Sequence, residues 1–220
     1  YDTTKVDIAD LEKEGFGIFL DTKYAGHIYL YDSMRDAFMM AFKDLGYSMN
    51  TSDEKEIEDA YNWLLKLAMT MHAEPADDEA IDGLTTGLKW MGMMYSGDAA
   101  AILSDNEDMG YYVPDYGTNF WVDAMVIPAN SAHAKLANFF INYILEYDVS
   151  YANSEYVGYS SSNGAVFEDI STGDGPFADN EAYRPRTDNP NDETFVHNEF
   201  LNKKLAELWV YVKLKVDEYR

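Results

Sequence analysis

The segment Phe120-Trp-Val-Asp123 concentrates the most suggestive chemistry in the chain, because one carboxylate stands inside an otherwise apolar run, between Val122 and Ala124. Read as a strand, residues two apart share a face, so the Trp121 indole and the Asp123 carboxylate line one surface. That pair suits an organic ammonium: the carboxylate supplies a charge-assisted hydrogen bond, and the ring offers its π-face to the cation or packs on its methylenes. The alternative places Asp123 at the strand's edge against an arginine or a helix N-terminus, and periodicity does not separate the two. A second carboxylate, Asp36, follows Ser33 by three residues, so both occupy one side of a helix's first turn, where an acid also gains from the helix dipole. From these residues alone, capping is the better explanation of Asp36. Tyr95 and Tyr159 read, on their own, as core or surface aromatics.

Other chemistries find little support. The chain has no cysteine, which removes disulfides, thiolate metal sites and cysteine nucleophiles together. Its four histidines, His27, His72, His133 and His197, are isolated from one another along the sequence, and there is no Gly-rich nucleotide loop, two-histidine zinc helix or serine nucleophile elbow. The run Asp105-Asn-Glu-Asp-Met-Gly110 lacks the full ligand spacing of a calcium loop and reads as a solvated turn. Met91, Met93 and Met94 read as adaptable packing on a buried strand. No cofactor or metal is expected. With 40 acidic and 16 basic residues in 220, the formal net charge is −24, which sets nucleic-acid backbones and anionic lipid surfaces aside as main partners. At 47% apolar and 15% aromatic, that charge sits on a body with a real core.

The elements that must position these residues are legible in outline. Gly26 to Asp32 is aromatic and β-branched and runs into Ser33, predicting a strand followed by a helix. Met34, Ala37, Phe38, Ala41, Phe42 and Leu45 form one apolar helical face that Gly46 ends. Thr51 and Glu54 resemble a capping box, and Ile57, Tyr61, Leu64, Ala68 and Met71 continue a second helix to Pro75. A short acidic helix to about Leu84, a buried strand ending at Tyr95 and an Ala-rich helix to about Leu103 follow. A strand over Phe120 to Pro128, helices around 131–143 and 148–155, a loop over 158–191 and a closing amphipathic helix complete the reading. Strands alternating with helices predict an α/β fold on a largely parallel sheet. No stretch approaches the roughly 20 apolar residues that span a bilayer. The start at Tyr1, with no basic-then-apolar leader, reads as a mature or excised segment.

Phe120-Trp-Val-Asp-Ala-Met-Val-Ile-Pro-Ala-Asn130 resembles the crossover segment of the polyamine-binding proteins of spermidine/putrescine ABC importers. The resemblance extends to Lys23 through Phe38, to Leu45 through Thr51, and to Tyr156-Val-Gly-Tyr159. It implies a hinged, two-lobe architecture of the type II periplasmic-binding-protein kind, with mostly the second lobe present and the segment that builds most of the first lobe standing before Tyr1. On that reading residues 1–119 belong to the second lobe, 120–165 to the crossover portion of the first, and 166–220 return to the second with the closing helix. The same resemblance assigns ligand contacts to Trp121, Asp123, Asp36, Tyr95 and Tyr159, and more loosely to Ser33 and His197. Ser33 stands where the spermidine-type pattern has a second acid, and Tyr95 where a Trp is common.

The resulting expectation is a non-enzymatic receptor that captures putrescine or spermidine in an inter-lobe cleft and delivers it to ABC permease subunits. Its expected place is the periplasmic or extracellular face of the bacterial cell membrane, a reading compatible with a lipid anchor or with fusion to the permease and deciding neither. A receptor for another small solute, such as a sugar or amino-acid derivative, and a secreted glycoside hydrolase using paired acids are the rival readings.

Overall fold

The computed structural model describes residues 1–220, which divide into two compact units. Unit 1 contains Tyr1–Met94, Asn106–Trp121 and Thr187–Arg220, and unit 2 contains Tyr95–Asp105 and Val122–Arg186. These cuts differ from the lobe bounds read from the sequence, since Tyr95–Asp105 and the residues from 166 to Arg186 pack with the second unit.

Unit 1 is built on a three-stranded parallel sheet of order β2-β1-β3, with β1 at Ile28–Tyr31, β2 at Glu74–Ala76 and β3 at Met91–Gly92. The register pairs Tyr29 with Glu74, Leu30 with Pro75 and Ile28 with Met91. The central strand is buried along its whole length, as a strand covered on both faces must be. Its alternation divides the work. Ile28 and Leu30 enter the main core, while the Tyr29 ring lies against Gly83, where a Cβ would collide with it. Pro75, which cannot donate to a ladder, sits on an edge strand, the place a sheet tolerates it.

The main core is helical, and the short helix α1 (Ile8–Glu14) contributes Leu11 to it. The helix α2 (Met34–Asp44) carries the apolar face anticipated from its spacing, and Phe38, Met40 and Phe42 are buried. The helix α3 (Glu54–Thr70) packs on it through Ile57, Leu64 and Leu67. Its cap is Asp53, whose carboxylate accepts from the Lys55 and Glu56 amides. Thr51, expected as the cap, instead donates its hydroxyl to the Glu56 carboxylate. A closing helix, Glu199–Tyr219, seals this core with Leu201, Leu205, Trp209, Val212 and Val216, spaced at three and four residues.

Unit 2 is all helical, from Ser96–Asp105, Ala134–Ile144, Tyr147–Val157 and Gly164–Ser171. The last of these lies in a region read as loop. Asn163 starts it by accepting from the Ala165 amide at 3.2 Å, a cap whose signal is one residue in a Ser-rich stretch. Its small core joins Ile102, Val166, Ile170, Phe177 and Tyr183, with the Phe177 and Tyr183 rings 4.9 Å apart.

The expected strand over Phe120 to Pro128 does not form. Asn119 makes a single parallel bridge with Glu193, Phe120 donates its amide to the Glu193 carbonyl at 2.7 Å, and residues 121–128 have no strand partner. An extended segment is a strand only when a neighbour takes its backbone groups, so its apolar β-branched character does not suffice. The helix Ala134–Ile144 buries none of its residues, and Leu136, Phe139 and Phe140 are 66%, 71% and 56% exposed. No helix is long and apolar enough to cross a membrane.

Candidate functional site

The proposed contacts fall into two sets, one in each unit. In unit 1, β1 delivers the chain to the start of α2, where Ser33 precedes the first turn and Asp36 lies within it. Asp36 is 4% exposed, a degree of burial a carboxylate tolerates only when hydrogen-bonded. Both of its oxygens have donors: the Ser33 hydroxyl on Oδ2, and the Asn119 side-chain amide on Oδ1 at 3.0 Å. Ser33 is therefore turned towards the acid and does not cap the helix with its side chain. The neighbouring Arg35 engages other groups, donating to Asn202 Oδ1 at 2.5 Å and Asn50 Oδ1 at 3.3 Å and lying over the Phe195 ring at 4.4 Å. Burial depresses its pKa below the usual guanidinium value, although the adjacent Asp36 charge works the other way.

Asn119 is brought to Asp36 by an arrangement that the sequence reading missed. Glu193 receives the Asn119 and Phe120 segment through its backbone, and through its side chain joins Lys43, Ser48 and Asn50. Lys43, 6% exposed, also donates to the Asn191 carbonyl at 2.8 Å, so a buried ammonium on α2 anchors the whole return segment. Burial alone would raise the Glu193 pKa. The hydrogen bonds from Lys43 and Ser48, the Lys43 charge and the Met49 amide outweigh it and hold the carboxyl below its ordinary value. In the sequence Lys43 stands opposite the apolar stripe of α2 and reads as a solvated lysine, so nothing local signalled the contact. Trp121 follows two residues after Asn119 and is half-buried.

In unit 2, Gly97 joins two of the expected aromatics. Tyr95 precedes the helix Ser96–Asp105 and accepts the Ala99 amide on its carbonyl at 2.9 Å. The half-buried Tyr159 ring lies over Gly97, where any Cβ would enter the ring. Gly158, in the left-handed conformation at φ 73°, ends the helix Tyr147–Val157 and turns the chain into Tyr159. The Tyr159 carbonyl accepts from the buried Ser154 hydroxyl, which also meets the Tyr183 hydroxyl at 2.7 Å. Asp123 is exposed and makes no hydrogen bond or ion pair. Because residues 121–128 are not a strand, alternation no longer places Trp121 and Asp123 on a shared face, and the boundary between units falls after Trp121. His197 is exposed beside Asn198, the cap of the closing helix, and no hydrogen bond orients its ring.

The structure gathers no group of three or more His, Cys, Asp or Glu able to hold a metal ion. The chemistry on offer is carboxylates, an indole and phenols, which favour reversible capture of a cation with an apolar body.

Comparison with known proteins agrees in sequence and in fold. Residues 1–184 match the family described as bacterial extracellular solute-binding protein. The spermidine/putrescine-binding periplasmic protein of Escherichia coli K12 is 33% identical over 189 residues, covering 86% of this chain and 52% of that protein. The corresponding protein of Salmonella typhimurium is 36% identical over 144 residues, or 66% of this chain and 41% of its own length. The chain thus spans about half the length of the curated relatives it matches. The crystal structure of a spermidine/putrescine ABC transporter substrate-binding protein from Streptococcus pneumoniae superposes with a TM-score of 0.73 at 27% identity, covering 98% of this chain and 65% of that one. The α/β architecture is accordingly that of the type II periplasmic binding proteins. With a family match across most of its length and a shared fold, the chain belongs to the bacterial extracellular solute-binding protein family.

Proposed function

We propose that the chain is the receptor component of an ABC importer and binds linear polyamines, putrescine or spermidine, without bond chemistry. The observation that carries this reading is Asp36, a buried carboxylate given a neutral donor on each oxygen. Unit 1 offers Asp36 for one ammonium and Trp121 for methylenes. Unit 2 offers Asp123 for an ammonium and Tyr95 and Tyr159 as aromatic surface. Ser33 acts through Asp36, and His197 is the weakest member of the set because no hydrogen bond orients its ring. The names of the relatives support the ligand class, since the E. coli and S. typhimurium proteins are spermidine/putrescine-binding and periplasmic. By the same reasoning the receptor works at the periplasmic or extracellular face of the bacterial cell membrane and hands its ligand to permease subunits. The net charge of −24 supports attraction of a polycation at low ionic strength.

Titration calorimetry on the complete receptor with putrescine, spermidine and neutral sugars tests the reading. Heat with the amines supports it, and heat with sugars alone overturns it. Asp36→Asn weakens amine binding on the order of 100-fold, the scale of a lost charge-assisted contact in a buried site. Asp123→Ala costs only about fivefold, because water screens an exposed charge.

A further inference from the structure

We propose that Asn119 is a positioning residue for ammonium recognition, acting by holding the Asp36 carboxylate in one orientation; this rests on the amine-receptor reading above. Its Nδ2 donates to Asp36 Oδ1 at 3.0 Å, while its own Oδ1 accepts the Thr118 hydroxyl at 3.4 Å, an arrangement that sets which end of the amide faces the acid. Its backbone is bridged to Glu193, and Glu193 is tied by Lys43 to α2, the helix that carries Asp36. The amide and the carboxylate are therefore fastened to the same helix by main chain and side chain together.

With Asn119 on one oxygen and Ser33 on the other, rotation of the carboxylate would break these hydrogen bonds, so its acceptor directions are set before any ligand arrives. A primary ammonium has N–H groups to meet fixed acceptor directions. A quaternary ammonium of equal charge has none, and gains nothing from the alignment. Asn119 thus tunes the site towards hydrogen-bonding amines, and it does so with a neutral donor, which stabilises a carboxylate without cancelling its charge.

The experiment measures putrescine affinity by calorimetry for the complete receptor and its variants, with melting temperature as the folding control. Asn119→Leu, similar in size but without a donor, binds putrescine about tenfold more weakly, the scale of one hydrogen bond to a charged group. Asn119→Gln, which keeps an amide donor, recovers affinity to within about threefold. In an Asp36→Asn background the Leu substitution changes affinity less than about twofold, because the group it positioned is gone. Unchanged affinity in Asn119→Leu overturns the proposal. The same tenfold loss in the Asp36→Asn background overturns it too, since that outcome marks a structural role, and so does a Gln variant as weak as Leu. Should Asn119→Leu melt too low to titrate, Asn119→Ser, whose hydroxyl is too short to reach Asp36, is read by the same criteria. A wild-type receptor that binds neither putrescine nor spermidine defeats the amine reading itself, and is thereby distinct from failure of Asn119 alone.

Discussion

The two units use similar apolar residues to different ends. In unit 1, Phe38 and Phe42 on α2 are 0% and 1% exposed, and four helices and a sheet share one core. In unit 2, Phe139 and Phe140 on a helix with comparable apolar spacing are 71% and 56% exposed. Amphipathic spacing specifies which side of a helix is to be covered. What covers it has to come from elsewhere in the fold.

This contrast can be broken or sharpened by measurement. The largest effect is expected from Phe42→Ala, which leaves a cavity in the unit 1 core and costs about 3–5 kcal/mol in urea unfolding. An effect below about 1 kcal/mol would mean that this core is as loosely filled as unit 2. Next comes Lys43→Met, which strips Glu193 of its ammonium and releases the Asn191 carbonyl. With Glu193 partly exposed, about 2–3 kcal/mol is expected rather than the full value of a buried pair. The same mutation should loosen Asn119 and so weaken putrescine binding in the complete receptor.

A smaller, pH-dependent effect follows from Glu193. Its folded-state pKa lies below the ordinary 4.5, so its stabilisation is present above about pH 4.5 and is lost as the pH falls through the folded value. Asp44, half-buried and accepting from Trp63 Nε1 at 2.7 Å, works in the opposite sense. Desolvation raises its pKa against those hydrogen bonds, so protonation on acidification favours its folded form. Urea midpoints between pH 6 and pH 3.5 should therefore fall less steeply in Glu193→Gln than in the parent chain, and equal slopes would remove Glu193 from the account. The smallest change is expected from Phe139→Ser. Its ring is already exposed, so stability should move by no more than about 0.5 kcal/mol, while binding of a hydrophobic dye falls. A loss above about 2 kcal/mol would show that this helix face is packed after all.

The sequence was most legible where a periodic pattern and its partner lie within the same unit. The spacing of Met34 to Phe42 and of Leu201 to Val216 predicts helices that form with those faces inward, while Leu45, read as the end of the first face, is exposed. Phe120 to Pro128 carries the pattern of a strand, yet pairing is a property of two segments, and only Asn119 finds a bridge. Glu74–Ala76 was missed because Pro75 argues against a strand unless its place at a sheet edge is known. The short helix Gly164–Ser171 was hidden by a Ser- and Gly-rich surround. In the site, the place of Asp36 in the first turn was readable from helical spacing. Its donor Asn119 lies 83 residues away and gave no local signal, since only the fold brings the two together.

Pro75 has one more consequence. The Ala76 carbonyl accepts the Asp32 amide at 2.9 Å, so Ala76 faces β1 and the alternation turns Pro75 outward. The outer rim of β2 therefore presents no N–H at its middle residue, and a stray strand from another molecule finds no continuous ladder there. On the opposite side β3 is only two residues long. The sheet is closed to fibre-like growth at both margins, so any stickiness of this polypeptide in solution should trace to the bare Phe139 and Phe140 helix rather than to cross-strand templating.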